Sequence, residues 1–377
     1  MGNGYISTTI ETSNMTRLTI ILPLAVVLLG ACAPKVSETT RIQGRIEGGT
    51  ADKLTVTVQD HGIKNQPVEI IDGTFSYELA TEPAIDVVFT CQLDGKQLRR
   101  SVIPDGSDLA LVFSPEGATL SSSNKKSVNY RMLEIEAVKQ QAKDLSTQYM
   151  SAKRAGAPAE QLDSLAGLEG PLVKRLKDLY REDLEKQKDN YLSVQALSYL
   201  RMDLQDKQLD SLISTLDPAV IQTSQVKMIW DEVSHRLATQ EGMPFVDFSI
   251  ETEGVTVRLS DYVGQGRYIL ADFWASWCRP CIVEMPYLKE AYKKYGDANL
   301  TILGIAASDA PADSRKAIRE LSIPWPQMLG TKMVAMDAYG IAGIPYIILF
   351  GPDGTILRRD LRGEEIAQVL KEYLPAN

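Results

Sequence analysis

Apolar residues change their spacing along this chain, and each change marks a new region. Across residues 41–121 they alternate with polar ones: Leu54, Val56 and Val58 do so, and Ile42 and Ile46 sit in a similar setting. A period of two belongs to a half-buried strand. Asp72-Gly73, Asp94-Gly95 and Asp105-Gly106 punctuate the stretch as turns. Short strands at this spacing predict a small antiparallel sandwich or barrel. From 125 to 240 the period lengthens. Met132, Ile135, Val138 and Ala142 recur at steps of three and four, as do Leu172, Leu176 and Leu179, then Leu209, Leu212 and Leu216. Gly156-Ala157-Pro158 breaks the first long helix, and Asp217-Pro218 starts another. The region predicts antiparallel helices with solvated charged faces. It carries no catalytic constellation, so packing, spacing and substrate contact all stay open as roles.

From residue 242 onward strands and helices alternate. Apolar runs at 268–274, 300–306, 325–329, 346–350 and 355–359 predict strands. Helical patterns start at Pro280 and occupy 314–321, 333–339 and 364–373, and Pro352-Asp353-Gly354 joins the last two strands. Two βα units and a terminal hairpin predict a mixed sheet with helices on both faces. The fold class is therefore an α/β domain at 242–377, preceded by a small all-β domain and a helical region.

The first 32 residues follow another logic. Leu18 to Leu29 form an apolar run after Arg17, too short and one-sided for a spanning helix. It ends in Leu29-Gly30-Ala31-Cys32, which resembles the bacterial lipobox. The resemblance implies that residues 1–32 hold a lipoprotein signal peptide, cut before Cys32, whose sulfur then carries diacylglycerol. An ordinary secretory signal with a chance cysteine is the other reading. Met15-Thr16-Arg17 offers a short charged start, so translation is expected to begin at Met15. Polar residues at 33–40 read as a linker. The expected location is the bacterial cell envelope, tethered to the membrane by lipid and facing the periplasm or the exterior.

A formal net charge of -9 without a basic block excludes nucleic acid as a natural partner. Three cysteines remain after Cys32. Cys91 is expected to lie buried on a strand as a small apolar residue. Cys278 and Cys281 are separated by Arg279 and Pro280 where a strand hands over to a helix. Two thiols at that spacing can close a small disulfide ring and reopen it. Half a zinc site is the other use of such a pair, but only His61 and His235 are on hand.

Trp277-Cys278-Arg279-Pro280-Cys281, with Asp272 on the strand before it and Ile344-Pro345 after a glycine, resembles the thioredoxin superfamily. Residues 244–277 are similar to its membrane-associated thiol–disulfide oxidoreductase branch, typified by TlpA and ResA. Residues 68–77 resemble a β-rich domain of unknown function that often precedes such domains in envelope lipoproteins. Cys278 is the expected nucleophile, because unpaired N–H groups at a helix N-terminus favour a thiolate. Cys281, one turn further in, is the expected resolving thiol, with a purely structural disulfide as the alternative. Pro280 suits the first turn, and Arg279 is placed to steady the thiolate modestly. The resemblance makes Asp272 the buried acid beneath the resolving cysteine. It makes Glu284 the glutamate of the Cys-x-x-Cys-x-x-Glu-x-Pro pattern. The plainer readings are a strand-edge hydrogen bonder for Asp272 and an exposed helix residue for Glu284. Pro345 resembles the superfamily's cis-proline, which aligns a substrate strand beside Ile344. Trp277 is expected to offer a flat apolar surface, Trp274 to join the core and Pro286 to kink its helix.

The resulting expectation is a lipid-anchored reductase of envelope-protein disulfides. It would need no cofactor beyond its own Cys278–Cys281 pair, no metal, and a membrane electron donor. Two alternatives stand beside it. A thiol peroxidase would want a Pro-x-x-x-Thr-x-x-Cys setting, but Ala271 and Ala275 occupy those places. A non-enzymatic envelope binding protein would place its function in residues 41–240.

Overall fold

A computed structural model describes residues 39–58, 62–82, 84–252, 254–296 and 299–374. The expectations for Cys32, the signal segment and His61 lie outside the described residues.

Eight strands come first: β1 Thr39–Ile46, β2 Ala51–Val58, β3 Ile63–Pro67, β4 Thr74–Ala80, β5 Val87–Leu93, β6 Lys96–Val102, β7 Asp108–Ser114 and β8 Gly117–Ser122. They form two four-stranded sheets, ordered β4-β1-β7-β8 and β3-β2-β5-β6. The first strand thus begins at Thr39, inside the expected linker. The sandwich is also not purely antiparallel, because β1 pairs with β7 in parallel. A parallel pair needs a long crossover, and the strands lying between β1 and β7 in sequence supply it. The rings of Phe75, Phe89 and Phe113 meet between the sheets at centroid distances of 6.3 and 6.2 Å. Gly44 makes room for them, since a Cβ there would lie 1.9 Å from the Phe75 ring. Asp94 and Gly95 both have positive φ and close the β5–β6 hairpin. Cys91 is fully buried on β5.

The helical region holds α1 Val128–Arg154, α2 Ala159–Lys186, α3 Tyr191–Leu200, α4 Asp206–Ile213, α5 Pro218–Ile221 and α6 Ser224–Ala238. Ser127, Asn190, Asp217 and Thr223 accept from the backbone N–H groups that open α1, α3, α5 and α6. Met132 and Ile135 of α1 share one apolar core with the strands. Asn129 fixes that junction. Its amide donates to Ile103 O at 2.7 Å and accepts from Ile103 N at 3.0 Å.

The C-terminal region adds β9 Ser249–Thr252, β10 Val255–Arg258, β11 Tyr268–Trp274, α7 Arg279–Tyr295, β12 Leu300–Ala306, α8 Pro311–Glu320, β13 Gln327–Met328, α9 Val334–Ala338, β14 Tyr346–Phe350, β15 Ile356–Arg358 and α10 Glu364–Tyr373. The five-stranded sheet runs β13-β12-β11-β14-β15. Its centre, β11, is parallel to β12 and antiparallel to β14. Ile269, Ala271 and Phe273 pack on one face, Leu270 and Trp274 on the other, each with its own apolar cluster. This is the mixed sheet that the alternating pattern predicts. The β9–β10 hairpin is an addition that the sequence reading misses.

The helical region is tied to this domain by half-buried arginines. Arg359 donates to Thr239 O at 2.6 Å and to Tyr339 O at 2.6 Å. Arg236 pairs with Asp206 at 2.8 Å and reaches Gly340 O at 3.4 Å. No helix among the described residues is long and apolar enough to cross a membrane.

Candidate active site

Strand β11 ends at Trp274 and the chain turns through residues 275–277 into α7. Cys278 is the N-cap of that helix. Its Sγ accepts from Cys281 N at 3.2 Å, and its own N–H donates to Ala275 O at 3.1 Å. Cys278 and Cys281 are joined as a disulfide, their Cα atoms 5.3 Å apart. The sequence reading expects Cys278 at an exposed corner, and in this oxidised pair it is only 3% exposed. Both sulfurs sit in the apolar cluster with Trp274, Ala275 and Met285. The exposed corner belongs to Trp277, at 63%. Arg279 and Pro280 stand exposed in the first helical turn, and α7 runs on through Pro286.

Residues that no local motif announces hold the turn. Asp309 accepts from Ser276 N at 2.7 Å, from Ser276 Oγ at 3.0 Å and from Ser314 Oγ at 2.9 Å. Trp277 Nε1 donates to Ser308 O at 3.1 Å, and Ser308 Oγ lies 2.9 Å from the Met333 sulfur. The loop after β12 therefore fixes the peptide that presents Cys278. Asp309 and Ser308 lie 33 and 31 residues from Ser276 and Trp277, so no spacing pattern signals them.

Alternation along β11 turns Asp272 to the same face as Leu270 and Trp274, toward α7. It is 1% exposed, and neither carboxyl oxygen has a hydrogen-bond partner among the described residues. Burial pushes its pKa up to about 8. Glu284 adds to that rise, and the Arg362 guanidinium opposes both. A buried carboxyl without a partner is rare, because burial costs energy that hydrogen bonds normally offset. Asp272 is thus no strand-edge hydrogen bonder. Glu284, whose plainer reading is an exposed helix residue, is only 8% exposed, and its Oε2 accepts from Gly363 N at 2.7 Å.

The Ile344–Pro345 bond is cis. Ile344 packs against the cluster that contains both sulfurs. Arg362 donates to Pro345 O, pairs with Asp360 at 2.6 Å and lies over the Tyr346 ring at 5.8 Å. One loop after β15 therefore holds both the proline carbonyl, through Arg362, and the second carboxylate, through Gly363. Sequence reading passes over Arg362, since a lone arginine in a loop carries no signature. The site thus gathers a two-electron sulfur couple, a carboxyl able to hold a proton near neutral pH, and an ordered loop beside them.

The similarities to known proteins fall in the C-terminal domain. Residues 242–359 match the AhpC/TSA family. A protein of Bacillus thuringiensis subsp. konkukian named thiol-disulfide oxidoreductase ResA is 28% identical over 124 residues, 33% of this chain and 70% of that protein. Its namesake in Bacillus subtilis is 28% identical over 119 residues, 31% of this chain and 65% of the relative. A solved thiol-disulfide oxidoreductase from Bacteroides fragilis is 32% identical, covering 35% of this chain and 99% of that one, with a TM-score of 0.31.

Proposed function

We propose, from the premise that the C-terminal domain is a thioredoxin-like thiol–disulfide oxidoreductase of the AhpC/TSA family, that the protein reduces disulfides of envelope polypeptides while tethered to a membrane by lipid on Cys32. The Cys278–Cys281 pair at the start of α7, above an unpartnered buried carboxyl, is the observation that carries this reading.

The reduced enzyme starts the cycle. Cys278 thiolate attacks one sulfur of the substrate disulfide, that bond breaks, and the leaving thiolate takes a proton. Cys281 loses its proton to Asp272, attacks the Cys278 sulfur of the mixed disulfide and expels the second substrate thiolate, which is then protonated. Two electrons and two protons pass to the substrate, and the enzyme is left oxidised, as it stands here. A membrane dithiol donor resets it by the reverse exchange. A pKa near 8 suits Asp272 to this task, since a group is most useful as acid and base when it titrates near the working pH. Glu284, held by Gly363, is the second proton carrier. Pro345 and Ile344 align the substrate strand, Trp277 gives it an apolar platform, and Arg279 and Pro280 tune the helix start. Leu29-Gly30-Ala31-Cys32 supports the lipid anchor and the envelope location.

Reduction of insulin disulfides and of glutathione mixed disulfides tests the mechanism. Cys278→Ser is expected to lose activity to background in both assays. Unchanged turnover in that variant would eliminate it.

A further inference from the structure

We infer that the cleft between the helical region and the loop leading into Pro345 is the groove for the polypeptide that carries the substrate disulfide. The helical region would then form one wall of the active site. The inference deepens the reductase reading and rests on it.

The cleft has a volume of about 410 Å³. Met202, Leu204 and Ile229 line it from the helical side; Gly340, Gly343 and Tyr346 line it from the C-terminal domain. Gly343 and Tyr346, which line the cleft, flank Ile344 and Pro345 in sequence, so the cleft opens beside the residues expected to align the substrate strand. Arg362 belongs to both places, lining the cleft and holding the Pro345 carbonyl. The walls are preset, because Arg236 and Arg359 bridge the two regions with half-buried hydrogen bonds to Gly340 O and Thr239 O.

The cleft's charges indicate what fits it. Arg201 pairs with Glu232 at 3.3 Å, Arg236 with Asp206 at 2.8 Å, and Arg362 with Asp360 at 2.6 Å. Three cations and three carboxylates thus answer one another, which leaves a small anionic thiol such as glutathione little to pair with. What the lip offers freely is apolar. Met202 is 83% exposed, and a long unbranched thioether adapts to many side chains. A Met-edged groove with neutralised walls suits an extended polypeptide with apolar flanks, taken with little regard to sequence. The same geometry gives the helical region a role that its packing alone does not explain.

The test uses full-length Cys281→Ser protein and two probes. One is a synthetic peptide of about fourteen residues, about 45 Å when extended, whose single cysteine is activated as a mixed disulfide with thionitrobenzoate. The other is the small disulfide dithiobis(nitrobenzoate). Met202→Asp should slow capture of the peptide about five-fold or more and leave the small probe's rate unchanged. Met202→Leu should restore the peptide rate. The same peptide with serine for cysteine, labelled and titrated into the oxidised wild-type protein, should bind more weakly in Met202→Asp; this arm reads the groove even if Cys278 proves inert. Equal peptide rates for Cys281→Ser protein with and without Met202→Asp, or equal slowing of both probes, would overturn the groove. Failure of Cys281→Ser protein to react with either probe, alongside intact peptide binding, would instead strike the reductase reading.

Discussion

Asp272 is a single side chain that the fold keeps buried and unpartnered at the expense of stability. In an unfolded chain its carboxyl titrates near the ordinary value of about 3.9, whereas in the fold it is held up to about 8. Between those values the folded protein keeps a proton that the unfolded chain has released. Stability contributed by this group therefore falls as pH rises through the window, by at most about 1.4 kcal/mol per pH unit. Asp272→Asn removes that titration. Denaturation of the oxidised protein should show the variant gaining on wild type by about 1 kcal/mol or more between about pH 5 and about pH 8. A constant difference across that range would mean Asp272 is not proton-bearing in the fold. Arg362→Gln removes the cation that opposes the shift. The Asp272 titration, followed by carboxyl infrared bands, should then move to still higher pH, whereas Arg362→Lys should leave it near the wild-type position. Sequence alone points to Cys278 and Cys281 by their spacing, a local signal, and to Asp272 only through the resemblance to the thioredoxin superfamily. Asp309 and Arg362 escape it, because each acts through partners that only the fold brings near.

At the scale of elements, the strongest patterns read most directly. Strand β11 at Tyr268–Trp274, β12 at Leu300–Ala306, β14 at Tyr346–Phe350 and α10 at Glu364–Tyr373 match their expected ranges, since each is a run with one dominant period. The β9–β10 hairpin hides because only Ile250 among its residues is buried, which leaves no alternation to detect. The β1–β7 parallel pair hides because registration between strands so far apart in sequence leaves no local trace. The end of α9 illustrates a constraint that composition cannot convey. Gly340 has φ +59°, and Ile341 N donates to Met336 O at 2.9 Å, the bond that closes a helix over a left-handed residue. A Cβ at Gly340 would lie 2.4 Å from Glu232 O and 2.8 Å from Arg236 N of α6. Gly340→Ala should therefore cost about 2–4 kcal/mol through strain and loss of helix–helix fit, measurable as a lowered urea midpoint. A midpoint within error of wild type would show that α6 and α9 are not in close contact.

For the whole molecule, the described residues between Thr39 and Leu374 fold as one compact unit, though the sequence reads as three regions. The sandwich and the helices share a core, and half-buried arginines then join the helices to the redox domain. That arrangement sets the disulfide, the two carboxyl groups and the Pro345 loop in one fixed relation. Capture of a disulfide substrate by variants that lack one cysteine tests the central claim most directly, with mass spectrometry reading which sulfur holds it. Cys281→Ser should accumulate a one-to-one mixed disulfide on Cys278, and Cys278→Ser should accumulate none. An adduct on Cys281 in the second variant, or none on Cys278 in the first, would contradict the assignment of Cys278 as the attacking sulfur.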